Sequence, residues 1–582
     1  MDDHKNLIMA IVLSLLVMLG YQEFFVKPVE EAGQQAELTQ PASEVPEAPP
    51  SVDEIPAAVA ATPEVLPRAT TLPAEEMETQ SARLPIASAR LEGSISLRGG
   101  RIDDIVLSDY YDKLGEDREK IVLLKPKERL DGYYVEFGWQ TGSDSDLQVP
   151  TADTLWQSGA AVLSTDQPVE LTWDNGVGLH FTRTIAVDEN FLFTITDRVE
   201  NRSGQPIALA PYGLLVRKTR PETTGFFILH EGPLGVLGGE LQEVDYDDLE
   251  DDGSYSYDSV GGWLGITDKY WLTALIPDPA RRLKARFVYR QNGLVGRYQA
   301  DFIASELTTV PDGGAIEVVT RLFAGAKEVS IIDAYEETYG IELFDRTIDW
   351  GWFYLLTKPI FWMLVFFNRL VGNFGVAILL LTMVIKLLFF PLANKQYVAM
   401  SRMKKLQPKM QELKKRFEDD KPRLQQEMMA LYKKEKVNPA AGCLPILLQI
   451  PVFFALYKTL FVTIEMRQQP FFGWVQDLSA PDGLTFITGF GLFPWDAPVF
   501  LLIGVWPLIM GLTMWLQMRL NPQSPDPIQA KIFAFMPLFF TFLLASFPVG
   551  LVIYWTWNNI LSIAQQWVIM RRMGVSVSVS NE

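Results

Sequence analysis

The sequence predicts a polytopic α-helical membrane protein with six spans, joined to a large all-β sandwich domain outside the membrane. Three observations carry this. Residues 376 to 392, VAILLLTMVIKLLFFPL, are free of charge except at Lys386, and with flanks from Gly372 to Asn394 they are about long enough to cross ~30 Å of hydrocarbon. Residues 88 to 334 hold repeated short alternating or β-branched runs separated by turn residues. The net charge of −20 is unevenly divided: residues 386 to 582 carry 20 Lys and Arg against 12 Asp and Glu, a balance of +8, which leaves −28 for the first 385. That suits an acidic soluble part and a membrane part with basic loops. A length of 582 residues exceeds one domain, and the single cysteine, Cys443, excludes a disulfide within the chain.

Taken in order, residues 7 to 21, LIMAIVLSLLVMLGY, follow Lys5 and read as a signal peptide or a membrane anchor. Gln22, Glu23, Phe24 and Phe25 stand where a small-x-small cleavage site is needed, which favours an uncleaved signal-anchor over residues 1 to 26. Residues 27 to 87 are rich in Pro, Ala and Glu, too polar to offset chain entropy by burial, and form a linker. A β-sandwich is expected over 88 to 343. VELTW at 169, FLFTITDRV at 191, ARFVYR at 285 and AIEVVTRLFAG at 315 are its clearest strands, with turns at Asp174 to Gly176, Asn201 to Gly204, Gln291 to Gly293 and Asp312 to Gly314. Its two histidines, His180 and His230, have no nucleophile motif beside them, and the acidic run Asp245 to Asp252 reads as solvated surface. Fold alone gives such a domain no activity, and no catalytic residue, metal set or cofactor is expected.

Residues 344 to 371 bring together Trp350, Trp352, Phe353, Tyr354, Lys358, Pro359 and Trp362, an aromatic amphipathic stretch suited to the membrane interface. As a crossing segment it would put the β domain and the next basic loop on one side, against the charge distribution. After the second span, 372 to 394, residues 395 to 436 hold thirteen Lys and Arg against six Asp and Glu, which places them in the cytoplasm. Met403, Leu406, Met410, Leu413 and Phe417, then Leu424, Met428 and Leu431, repeat at three and four residues, predicting an antiparallel helical hairpin. Four further spans, near 443 to 464, 495 to 518, 530 to 547 and 549 to 570, alternate by loop charge, and a short tail follows from 574. Both termini then lie in the cytoplasm, with the β domain opposite.

On a span ending near Asn394, Lys386 lies roughly 12 Å below that end. Its flexible stem either snorkels to the interface or the ammonium sits in a hydrated recess among helices. The polar candidates to line such a recess are Thr382, Gln449, Asn558, Asn559, Gln565 and Gln566, none of them an acid. Glu465 and Asp496 lie only at span ends, whereas an ion-driven transporter places a carboxylate at depth. The spans show no inverted repeat with paired broken helices, and no G-x-x-x-x-G-K-[ST] nucleotide loop occurs. Prolines at 391, 445, 451, 507, 537 and 548 favour bent helices.

The run NPAAGCLPILLQIPVFFALY, Asn438 to Tyr457, and FPVGLVIYW, Phe547 to Trp555, resemble the YidC/Oxa-type membrane protein insertases. The resemblance extends to the opening pattern Met1, Asp2, Lys5 and Asn6, the large β domain of the Gram-negative members, the interfacial helix and the hairpin. It implies a five-helix core in the bacterial inner membrane, with a hydrophilic groove open to the cytoplasm and sideways to lipid. The groove's cation falls on Lys386, where arginine is common, so bidentate pairing with a carboxylate does not carry over. Client contacts fall on Ile450, Pro451 and Phe453 and on Ser546, Tyr554 and Trp555, the last standing where tyrosine is usual. Together with Thr382, Gln449 and Asn559 these make the expected groove. Implied partners are nascent membrane proteins and the Sec translocon, with the ribosome and membrane lipids as further expected contacts. The β domain is implied to be a mutarotase-like sandwich without catalytic need. The competing readings are a small-solute transporter or channel and an anchored carbohydrate-binding or carbohydrate-modifying protein.

Overall fold

The structure is a computed structural model that describes residues 82 to 573, apart from 143–144, 226–228, 293–294, 418–419, 436–443, 486, 488–501 and 521–526. The expected signal-anchor and most of the linker therefore lie outside the described residues, as does the tail.

Two antiparallel sheets face each other. One runs Arg83–Ala87, Leu91–Ser96, Arg101–Tyr111, Tyr133–Thr141, Ile207–Lys218, Val295–Ala304, Arg282–Asn292, Ser254–Val260. The other runs Glu240–Glu243, Gly232–Leu237, Trp263–Thr267, Trp271–Ile276, Ala315–Ala326, Leu192–Asn201, Leu179–Val187, Val169–Asp174, Gln157–Ser158. Each strand foreseen from sequence is present. The period of two shows cleanly in Leu179–Val187, where Leu179, Phe181, Arg183, Ile185 and Val187 all point inward. Arg183 is thus carried into the core, opposite Asp197 on the neighbouring strand. It meets that carboxylate at 2.7 and 3.1 Å and reaches across to the Phe137 carbonyl of the facing sheet at 2.8 Å. A buried charge persists only when paired and hydrogen-bonded in this way.

Two expectations for the β domain change. The first strand begins at Arg83, inside the stretch assigned to the linker, because Leu84 and Ile86 alternate inward and Arg83 pairs with Asp103 at 2.5 Å. The acidic run is not all solvated surface: it forms a short helix, α1 (Tyr246–Asp252), that buries Tyr246 and Leu249.

After the last strand come α2 (Val329–Tyr339), a 3-10 turn at Phe344–Thr347, and α3 (Tyr354–Val371). Gly372 ends α3 in the left-handed region at φ 70°, and Asn373 caps α4 (Phe374–Leu388) by accepting from the Val376 amide at 3.0 Å. The second span was expected to continue to Asn394. Instead the chain breaks at Phe389 and bends by 69° into α5 (Phe390–Arg416). Pro391 is the physical reason, since it has no amide to donate and its ring would clash with the Leu387 carbonyl of a continuous helix. α5 then folds back on α6 (Lys421–Lys434) through Leu406 and Met410 against Met428, Leu431 and Tyr432.

The remaining helices are α7 (Leu444–Val462), α8 (Val505–Leu520), α9 (Pro527–Leu543) and α10 (Val549–Arg572). α8 starts ten residues later than the apolar pattern suggested. Its first turn holds Pro507, and Asp482 receives the Trp506 amide at 2.8 Å, supplying the cap. Among the described residues, α3 alone is long and apolar enough to cross a membrane unaided, and the bent α4–α5 pair meets that test together. Length and composition thus permit α3 either to cross or to lie in the interface. One connected apolar core runs from the sandwich through Trp350, Phe361 and Leu364 to Ala455, Leu460 and Tyr554 of the helices.

Candidate groove site

The helix break changes where Lys386 stands. It is two residues from the end of α4, in the last turn, where the helix dipole favours a cation. The depth inferred from an unbroken helix does not apply. Its Nζ donates to Ser562 Oγ of α10 at 2.7 Å, and Ser562 Oγ in turn donates to the Asn558 carbonyl at 2.7 Å. Tyr397, buried on α5, lies within hydrogen-bonding reach of the same serine. The 69° bend makes this possible, because it returns α5 against α10. No carboxylate pairs with Lys386 among the described residues.

On α10, Trp555, Asn558, Asn559, Ser562 and Gln566 share one stripe by helical periodicity, and all but the partly buried Trp555 are buried. The stripe divides between neighbours. Asn559 donates to Thr513 of α8 at 3.3 Å and Gln566 to the Leu520 carbonyl of α8 at 3.1 Å, while Ser562 faces α4. Thr382 spends its hydroxyl on the Ile378 carbonyl of its own helix at 2.7 Å. The side chain of Gln449 lies outside the described residues. Ser401 Oγ on α5 and Thr556 Oγ1 and Gln565 Nε2 on α10 are buried and make no hydrogen bond among the described residues.

An apolar wall stands two turns from Ser562 along α10. Phe453 of α7 meets Trp555 edge to face at 4.7 Å, and Trp555 meets Phe540 of α9 at 5.4 Å. Ile450, one turn before Phe454, is 42% exposed, and Pro451 lies within the continuous helix between them. Two expected contacts do not join this group. Tyr554 is 2% exposed and turned into the core, about 100° round the helix from Trp555. Ser546 is exposed in the turn after α9, bonded to the Leu543 carbonyl at 3.2 Å, and stands before the start of α10 at Val549, whereas Ser562 lies in the second half of that helix.

Ser562 was the residue missed. Its signal was the i, i+4, i+8 series Asn558, Ser562, Gln566, which a search for amides alone passes over. The two histidines take structural places: His180 stands beside Asp174, and His230 bonds Asp245 at 3.2 Å and the Pro233 carbonyl at 3.0 Å.

Two family models match the chain, one described as a 60Kd inner membrane protein over residues 366–576 and one as the YidC periplasmic domain over 83–363. Similar relatives include the membrane protein insertase YidC of Methylorubrum extorquens strain PA1, 48% identical over 99% of this chain and 97% of its own length. That of Rhizobium meliloti strain 1021 is 50% identical over 100% and 97%. Among solved structures, an active YidC insertase with its first transmembrane domain resolved aligns at 19% identity and a TM-score of 0.35, covering 83% of this chain and 91% of that one. A galactose mutarotase related enzyme of Lactobacillus acidophilus aligns at 9% identity and a TM-score of 0.30 over 42% of this chain and 97% of its own. The matched descriptions make this an inner-membrane protein with its sandwich on the periplasmic side. At such identity along its whole length, the chain belongs to the YidC family of membrane protein insertases.

Proposed function

We propose that the chain inserts newly made proteins into the inner membrane through a half-groove, with Lys386 at its polar end and Phe453 and Trp555 on its apolar wall. The observation that carries this is the Lys386–Ser562 bond. An ammonium held by a neutral hydroxyl keeps a full charge to offer, and an acidic flank of a client can replace the serine. The orphaned atoms of Ser401, Thr556 and Gln565 add support, since such groups are costly in hydrocarbon and are satisfied where water enters.

The task is to move a short polar flank across while an apolar segment slides into lipid. A wet half-groove shortens the dry path, and the exposed face of α7 at Ile450 and Phe454 receives the apolar segment. Each buried side chain of the client gains about 25 cal/mol per Å² of apolar surface. The membrane potential contributes ~2.3 kcal/mol per charge per 100 mV to a negative flank moving outward. No bond is made or broken. Cooperation with the Sec translocon belongs to the same proposal, with the periplasmic sandwich as its contact surface, as do ribosome and lipid contacts at the basic hairpin.

Charge matters here more than shape. Lys386→Arg preserves insertion, Lys386→Ala impairs clients with acidic translocated flanks by ~10-fold, and Lys386→Glu impairs them most. The 10-fold figure corresponds to one charge-assisted hydrogen bond. Protease protection of a client whose flank charge is varied, in cells depleted of the native insertase, measures this. Equal insertion of acidic and neutral flanks by Lys386→Ala would reject electrostatic attraction.

A further inference from the structure

Residues 329 to 351 form a strap from the last strand of the sandwich to α3, and it presents three carboxylates to the outer ends of two helices. On α3, Lys358 Nζ donates to Asp333 Oδ1 and Asp345 Oδ2, each at 3.0 Å. On α7, Lys458 Nζ meets Asp349 Oδ2 at 2.7 Å. Beside these lysines the helices lie in contact, Thr459 Oγ1 donating to the Ala455 carbonyl of its own helix at 2.8 Å with the Thr357 carbonyl of α3 at 3.3 Å. Asp349 is itself fixed. Its Oδ2 also receives the His230 amide of the sandwich at 3.1 Å, and its Oδ1 receives the Gly351 amide at 3.0 Å. Gly351 has φ 69°, and a Cβ there would press on Lys458 Cε at 3.2 Å, so the stem of the lysine lies along bare backbone.

The two helices differ in how they are held. α3 follows the strap in the chain and is tethered to it covalently. α7 follows a hairpin on the other side of the membrane, so its outer end is located by contacts, Lys458 with Asp349 within the helix and Glu465 with the Val329 amide of the strap just beyond it. The Lys458 side chain is 11% exposed and that of Asp349 21%, a pair shielded enough to hold position. Lys458 lies five residues beyond Phe453, about 7.5 Å along the same helix. A tilt at Lys458 is therefore felt at the Phe453–Trp555 wall.

We propose that Asp349 and Lys458 are positioning residues, a clasp that pins the outer end of α7 to the strap and through it sets the apolar wall along which a client slides. The clasp rests on the groove reading for its consequence, but its mechanical part is read separately.

The test uses the full-length chain with Asp349→Asn, Lys458→Met, the double variant and Lys458→Arg. Hydrogen exchange of amides at the outer end of α7 reports the pin, and insertion of one client per folded molecule reports its use. Each single variant is expected to speed that exchange by ~10-fold and to lower insertion several-fold. Lys458→Arg restores both. The double variant is no worse than the poorer single, because neither charge is left without its partner. Unchanged exchange in both singles overturns the clasp. Faster exchange with full insertion overturns its positioning role. Lys386→Ala, run alongside, reports the groove reading alone: normal insertion by that variant rejects the groove and leaves the exchange result standing.

Discussion

Glu465, just beyond α7, gives the residue scale its sharpest consequence. Its Oε1 accepts the Val329 amide at the start of α2 at 2.9 Å, and its Oε2 is buried without a hydrogen bond among the described residues. Burial pushes its carboxyl from the ordinary 4.5 up to about 7, with the charges of Glu328 and Asp333 adding to the rise. A raised value means that the docked fold binds a proton the unfolded chain would release between pH 4.5 and 7. Stability from this group is full below pH 4.5 and is lost as pH rises through about 7, by as much as roughly 3 kcal/mol. His230 slopes the same way: burial lowers it, but the bond to Asp245 and the charge of Glu243 outweigh that and leave it raised. Glu465→Gln should keep the bond to Val329 while flattening much of the fall. Denaturant midpoints of the solubilised protein at pH 5 and pH 7.5 check this, and equal slopes for the parent and the variant would show that Glu465 is already ionised. Residues of this kind were poorly legible in the sequence. Lys386 announced itself as a charge within an apolar run, whereas Phe453 and Trp555 came only from the resemblance to the insertase family. Ser562 and Glu465 matter through partners 176 and 136 residues away, and no local pattern reports such a partner.

At the scale of elements, the hairpin was legible because packing residues three and four apart leave a record in the sequence, and Met403, Leu406, Met410, Met428 and Leu431 are the residues that meet. Pro391 was read as favouring a bent helix, but the end of the span at Phe389 was not, since hydrophobicity runs on through it to Leu392. Nor was the start of α8, whose cap, Asp482, comes from 24 residues upstream. The geometry also divides the hairpin in two. Tyr397 and Ser401 at its base are buried, and Lys405 reaches the Met573 carbonyl at 2.9 Å, so this part belongs to the groove. Beyond it, the tip, residues 407 to 434, carries eight Lys and Arg against five Asp and Glu, and Met410 packs on Met428, Leu431 and Tyr432. Replacing residues 407 to 434 by a short Gly-Ser linker is expected to leave the unfolding midpoint unchanged while cutting client insertion several-fold, if the tip receives nascent chains. Insertion at the parental rate by a well-expressed variant would sink that role for the tip.

At the scale of the whole molecule, the division into a sandwich and a helical part was legible from charge and periodicity. The sheet order was not, because strand neighbours such as Ile207–Lys218 and Val295–Ala304 are far apart in the chain. The connected apolar core bears on what each part needs. The strap buries Ile332, Tyr335 and Phe344 against the sandwich, with Phe344 edge to face on Trp263 at 5.5 Å and on Phe323 at 5.7 Å. If the sandwich is auxiliary, a chain lacking residues 83 to 320 but retaining the strap from Val329 keeps Asp333, Asp345 and Asp349 opposite Lys358 and Lys458, while Asp349 loses the His230 amide that helps to fix it. It also uncovers Ile332, Tyr335 and Phe344, where burying an isoleucine or phenylalanine side chain is worth about 1.5–3 kcal/mol. Such a truncation is therefore expected to insert clients within about twofold of the parent per folded molecule, yet to unfold at a lower temperature. Replacing Phe344 by serine in the truncated chain should reduce its aggregation, because the exposed ring then has no sandwich to cover it. A truncated chain that folds, keeps both lysine pairs and still inserts nothing would assign the sandwich a direct part in insertion.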